Sequence, residues 1–167
     1  ADLRHRPCRL TIGAFDGLHL GHRRLIAAVT GGVGSGPSRE VGRSFPVVVT
    51  FRRPPGQVLG KTDQPGLILS LAQKLRRLAE LAVGVTVLID FSEEISTLAG
   101  REFIDLLRGR LAIERIVVGP NFRFGRNRDA DVRDLEAMLA GAAAPGLAGG
   151  SSTTVQAIEP VRRGGEI

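Results

Sequence analysis

Thr11-Ile12-Gly13-Ala14-Phe15-Asp16-Gly17-Leu18-His19-Leu20-Gly21-His22 is the stretch on which the fold turns. The apolar run Arg9-Leu10-Thr11-Ile12 has strand length and stops at Gly13, while residues 21–30 carry Leu25, Ile26 and Val29 on one face of a helical period. A strand running into a helix leaves its turn at the helix's amino end, where free N–H groups and the helix dipole favour a phosphate. Two of the chain's three histidines, His19 and His22, stand at that mouth. Imidazoles there add directional donors that follow phosphate oxygens as charge develops in a transition state. Gly21, between them, lets the backbone lie against a base or phosphate. Two histidines could also serve a metal, but no further ligands stand at matching spacing.

Outward from this turn, strand-length runs alternate with helical ones. Residues 46–51, 85–90, 115–119 and 154–158 read as further strands, and residues 69–82, 98–108 and 131–139 as helices. Residues 31–44 and 141–152 are Gly-rich connections. Strict alternation predicts an α/β fold with a Rossmann-like parallel sheet, helices on both faces and right-handed crossovers. Ligands in such sheets sit at the carboxyl ends of the strands.

The 167 residues suit one compact unit, and 43% hydrophobic with 24% charged residues is the composition of a globular protein with a sizeable core. No stretch approaches the roughly 18 uninterrupted apolar residues of a membrane span. With one cysteine, Cys8, and no hydrophobic signal region, a cytoplasmic location is expected. The net charge is +6, and 21 of the 23 basic residues are arginine, which suits an anionic ligand and also fits an Ala- and Gly-rich, Lys-poor composition. The arginines are scattered and Tyr and Trp are absent, so no nucleic-acid groove is expected.

Two more strand ends carry chemistry. Thr50-Phe51-Arg52-Arg53-Pro54-Pro55-Gly56-Gln57-Val58-Leu59 is a turn that two prolines stiffen, able to wall a pocket or to form a plain surface turn. Gly119-Pro120-Asn121-Phe122-Arg123-Phe124-Gly125-Arg126-Asn127-Arg128 interleaves two Phe with three Arg, a pattern that can stack a planar ring and grip phosphate, although the two Phe could equally be core residues.

His19-Leu20-Gly21-His22 resembles the HxGH signature of the nucleotidylyltransferase superfamily, and the longer string Thr11 to His22 resembles the opening of bacterial FAD synthetases, the FMN adenylyltransferase half of bifunctional riboflavin kinase/FMN adenylyltransferases. The turn at Thr50, Phe51, Pro55, Val58 and Leu59 is similar to the family's flavin-site pattern, with Arg53 and Pro54 where the family has Pro and His. Gly119 to Gly125 resembles its VVG-x-[DN]-F-x-FG motif, followed by Asp131 and Leu135. The likeness continues in order through Lys74, Leu78, Gly84, Val85, Glu102, Phe103 and Ile104.

The resemblance implies one FMN adenylyltransferase-like domain over residues 1–167, without the riboflavin kinase domain that follows in the family. It implies transfer of AMP from ATP to FMN, giving FAD and pyrophosphate, with Mg²⁺ accompanying ATP and no identified protein ligand for the metal. His19 and His22 would be catalytic. Gly13, Ala14, Phe15, Asp16, His19, Gly21 and His22 would bind ATP, and Phe51, Pro54, Pro55, Val58 and Asn121 would border the flavin. An SSTRIR-like ATP motif would follow the strand near residue 158. Ser151-Ser152-Thr153 has similar letters but precedes that strand, so the role is not carried over. The altered Arg53-Pro54 turn leaves room for a nucleotide-binding paralogue without turnover, or for a nucleotidylyltransferase with another phosphorylated substrate.

Overall fold

The computed structural model describes residues 3–31, 44–53, 67–141 and 143–159. Its five strands are β1 (Pro7–Ile12), β2 (Phe45–Phe51), β3 (Val85–Ile89), β4 (Ala112–Val118) and β5 (Thr154–Ala157). All pair in parallel, in the order β3-β2-β1-β4-β5. The helices are α1 (Leu20–Thr30), α2 (Leu71–Glu80), α3 (Glu93–Thr97), α4 (Gly100–Arg108) and α5 (Val132–Leu139), with 3₁₀ turns at Arg126–Arg128 and Ala148–Gly150. The alternation expected from the sequence is the observed one, and the α/β Rossmann-like class holds.

The strand period of two explains how helices come to lie on both faces. Cys8, Leu10 and Ile12 of β1 point with Val47 and Val49 into the larger core, which Phe103, Ile104 and Leu107 of α4 and Leu135 and Leu139 of α5 complete. Val48 points the other way, into a second cluster with Ile26 of α1 and Leu78 of α2. Phe15 and Leu18, from the turn after β1, belong to that second cluster.

Some boundaries depart from the sequence reading. Strand β4 begins at Ala112 rather than 115, because Glu114 and Arg115 interrupt an apolar run that the backbone continues. Helix α3, of five residues, has no periodic signature and does not figure in the sequence reading; Ser92 caps it through Ile95 N–H. The Gly-rich segment after α5 is partly ordered by a bridge between Ala143 and Ser152 and by Arg108, whose guanidinium donates to the Ala143 carbonyl at 2.6 Å. Most of the 31–44 connection lies outside the described residues.

The chain reverses its direction of travel across the sheet between β1 and β4, and this switch point opens a crevice at their carboxyl ends. The turns after these two strands face each other across it.

Candidate active site

The first wall of the crevice is the β1–α1 turn. Phe15 (φ 49°), Gly17 (φ 74°) and Leu18 (φ 44°) all have left-handed backbone, which costs a non-glycine residue about 1–2 kcal/mol. The Phe15 and Leu18 side chains are 0% and 2% exposed, and burial of such side chains contributes about 1.5–3 kcal/mol each, enough to offset that cost. Three polar ties hold the same turn. Thr50 Oγ1 donates to the Ala14 carbonyl at 3.0 Å, and Asp16 accepts from Ile68 N–H and Leu69 N–H, both at 3.1 Å.

The two imidazoles stack, with ring centroids 3.6 Å apart and planes 21° from parallel. His19 caps α1: its Nδ1 accepts from the His22 backbone N–H at 3.4 Å. With Nδ1 as acceptor, Nε2 carries the proton of a neutral His19 ring and is left to donate. A Cβ on residue 21 would come within 3.2 Å of His19 Cε1, so Gly21 is what lets that ring fold back over the helix start. His22 lines the crevice, and its Nδ1 is buried without a hydrogen-bond partner. Burial first, and then the neighbouring His19, lower the His22 pKa to about 4 against the opposing charge of Asp16. In the free protein at neutral pH the His22 ring is therefore uncharged. The first turn of α1 has no acidic residue to compete for an anion.

The opposite wall is the β4–α5 turn. Phe122 and Phe124 stack with centroids 5.2 Å apart, Phe124 buried and Phe122 half-buried, and both line the crevice. The chain closes on itself through paired bonds between Phe124 and Ala130 and docks on α4: Arg126 N–H donates to the Leu98 carbonyl at 2.7 Å, and Asp129 Oδ1 accepts from Gly100 N–H at 3.2 Å. Gly125 (φ 78°) is required there, since a Cβ would collide with the Asp129 carboxylate and the backbone of Gly100.

Between the walls lies a cavity of about 1010 Å³. Of the residues singled out from sequence, Gly13, Ala14, His22, Phe51 and Asn121 line it. Phe15 is wholly buried and does not line it, and the Asp16 carboxylate is engaged with residues 68 and 69. Exposed His19 stacks on His22 and does not itself line the cavity. Pro54, Pro55 and Val58 lie outside the described residues. Arg52 and Arg53 approach Asp90 at 3.9 and 3.7 Å, both pairs exposed.

The sequence reading missed an apolar wall made by Phe91, Ile95, Leu98 and Phe103, with Phe91 edge-on to Phe51 at 5.8 Å. Phe91 follows β3, so the rule that ligands gather at strand ends, applied to the third strand, would have found it. Among the described residues no group of three or more His, Cys, Asp or Glu side chains could hold a metal ion, and no helix is long and apolar enough to cross a membrane.

Comparison with known proteins finds relatives along most of the chain. A family model described as FAD synthetase matches residues 2–145. The bifunctional riboflavin kinase/FMN adenylyltransferase of Escherichia coli K12 is 38% identical over 128 residues, which is 74% of this chain and 38% of that protein. Its counterpart in Bacillus subtilis 168 is 31% identical over 118 residues, covering 70% of this chain and 35% of the relative. The chain thus spans well under half the length of these relatives. A crystal structure described as a macrolide-efflux protein from Streptococcus pneumoniae superposes with a TM-score of 0.73 at 23% identity, covering 95% of this chain and 47% of that one, a likeness of fold alone.

Proposed function

The chain belongs to the FAD synthetase family, and from that premise we propose that it is an FMN adenylyltransferase, joining ATP and FMN to give FAD and pyrophosphate. The observation that carries this is the arrangement of the crevice: a capped helix start with stacked imidazoles on one side, and an aromatic wall of Phe51, Phe91 and Phe122 on the other. The first suits a polyphosphate and the second a flavin ring. At about 1010 Å³ the cavity is at the upper end of the roughly 300–1,000 Å³ usual for small-molecule sites, room for two substrates side by side.

In the reaction an oxygen of the FMN phosphate attacks the α-phosphorus of ATP, the new P–O bond forms, and the bond to the β-phosphate oxygen breaks to release pyrophosphate. Such transfers ask for alignment and charge stabilisation rather than a protein nucleophile. His19 and His22 stabilise the phosphate oxygens, and the backbone of Gly13 and Ala14 bounds the nucleotide. Asn121, together with Phe51, borders the flavin. Pro54, Pro55 and Val58 complete that border by family likeness. Mg²⁺ would come with the polyphosphate and would supply neutralisation of its charge, as an ion that binds through substrate phosphates more than through a protein cage. The lone, buried Cys8 fits a reducing, cytoplasmic setting.

Calorimetric titration with Mg²⁺–ATP, then with FMN and with other phosphorylated acceptors such as nicotinate mononucleotide, tests the proposal. Binding of ATP followed by FMN in preference to the other acceptors is expected. Preference for another acceptor would reassign the substrate, and ATP binding with no acceptor binding would favour a nucleotide-binding protein without turnover, to which the exposed Arg53–Asp90 pair in place of the family's Pro-His turn would then point.

A further inference from the structure

Of the leucines at helical spacing along α2, Leu71 and Leu75 are half-buried and Leu78 fully buried, and the other buried residue of the helix is a lysine. Lys74 is 4% exposed, as buried as the core leucines around it. Burying an ammonium is costly unless each of its protons finds an acceptor. Here each does: Nζ donates to the Ala14 carbonyl at 3.0 Å, to the Phe51 carbonyl at 3.1 Å and to Thr50 Oγ1 at 3.4 Å. Thr50 Oγ1 in turn donates to the same Ala14 carbonyl. All three acceptors are neutral oxygens, and they belong to the carboxyl ends of two neighbouring strands. Ala14 and Phe51 both line the cavity.

Resting on the adenylyl-transfer reading, we propose that Lys74 is a positioning residue: its ammonium fixes the turn after β1, on the nucleotide side, against the end of β2, on the flavin side. The distance between the two substrates is thereby set from beneath the cavity by one side chain that touches neither. A hydrocarbon of the same length would fill the space and leave the Phe51 carbonyl unpartnered and the Ala14 carbonyl held by Thr50 alone. Burial also pulls the Lys74 pKa below its ordinary value, and the negative charge of Asp16 opposes that shift.

The test is Lys74→Met, compared with wild type by steady-state FAD formation and by amide hydrogen exchange. Two amides report on the tie: Gly13 N–H, bonded to the Val49 carbonyl, and Arg52 N–H, bonded to the Ile89 carbonyl. The expected result is faster exchange at these two while mid-strand Leu10 and Ile116 keep their protection. With it, kcat should fall about 100-fold, the scale of a small misplacement of reacting groups, and KM for ATP and for FMN should stay within about threefold. Unchanged protection at Gly13 and Arg52, an equal loss of protection across the whole sheet, or an unchanged kcat would each overturn the proposal. Should Lys74→Met not fold, Thr50→Val removes one link and keeps the ammonium. It should loosen the same two amides, and full protection at both would overturn the proposal equally. If wild type itself forms no FAD, the functional reading fails, and the exchange pattern still decides whether Lys74 ties the two turns.

Discussion

The turn after β1 and the turn after β4 stand at neighbouring strand ends and face the same cavity, yet they are held by opposite means. The first is fastened from beneath: Phe15 and Leu18 are sunk in the core, and Thr50, Lys74 and the amides of residues 68 and 69 hold its carbonyl and carboxylate oxygens. It offers the cavity backbone and one face of an imidazole pair. The second is fastened to itself and to the start of α4, through Phe124–Ala130, Arg126–Leu98 and Asp129–Gly100, and leaves Asn121, Arg123, Arg126 and Arg128 exposed. On the proposed reading, the wall that presents hydrogen bonds to phosphate is the one built from buried anchors. The wall that covers a ring, on the same reading, is built from stacked rings and exposed cations.

The largest expected difference lies in chemistry. His22→Ala should lower kcat by about 10²–10³-fold, the cost of losing one well-placed donor to developing charge, with ATP affinity changed by less than about threefold. Asn121→Ala, on the other wall, should instead raise the KM for FMN several-fold at nearly constant kcat. Equal kcat losses in steady-state assays of the two variants would erase the division of labour between the walls.

Stability should break the comparison the other way. Gly125→Ala forces a Cβ onto Asp129 and Gly100 at a left-handed backbone position and should cost about 3 kcal/mol, whereas Gly13→Ala meets only the Phe15 ring at 3.3 Å and should cost about 1 kcal/mol. Urea denaturation of the two variants measures both.

The legibility of these walls in the sequence differed for physical reasons. The β1–α1 turn was readable because Gly and His are crowded between an apolar run and a helical period, and the β4–α5 turn because Phe and Arg interleave around Gly125. What holds the first turn in place was not readable, since Asp16 finds its partners 52 and 53 residues away and Lys74 its carbonyl 60 residues away. A lysine within a leucine stripe reads as a chance exposed residue until the fold shows three oxygens around it. Phe91 escaped because no Gly or Pro marks the end of β3, and α3 because five residues are too few to show a helical period.

A smaller effect sharpens the electrostatic side of the contrast. His22 has its pKa lowered to about 4 in the folded protein, chiefly by burial, while an unfolded chain titrates near 6.5. Between those values the unfolded chain binds the additional proton, so the stability present above pH 6.5 is lost as pH falls toward 4, by about 2 kcal/mol at pH 5 before solvent screening of this half-buried ring reduces it to about 1 kcal/mol. Denaturation midpoints at pH 7 and pH 5 should show this loss in wild type and a smaller one in His22→Gln. Bound polyphosphate should reverse the preference, so ATP binding near pH 5.5 should take up a proton, seen as a buffer-dependent binding enthalpy.

The most direct test of the central claim is a single-turnover reaction of the chain with FMN and ATP labelled on the α-phosphate, with Mg²⁺, resolved by chromatography. The label should pass into FAD in step with release of one pyrophosphate, and His22→Ala should slow that transfer without abolishing ATP binding. Label that remains in ATP while both nucleotides are bound would contradict adenylyl transfer by this site.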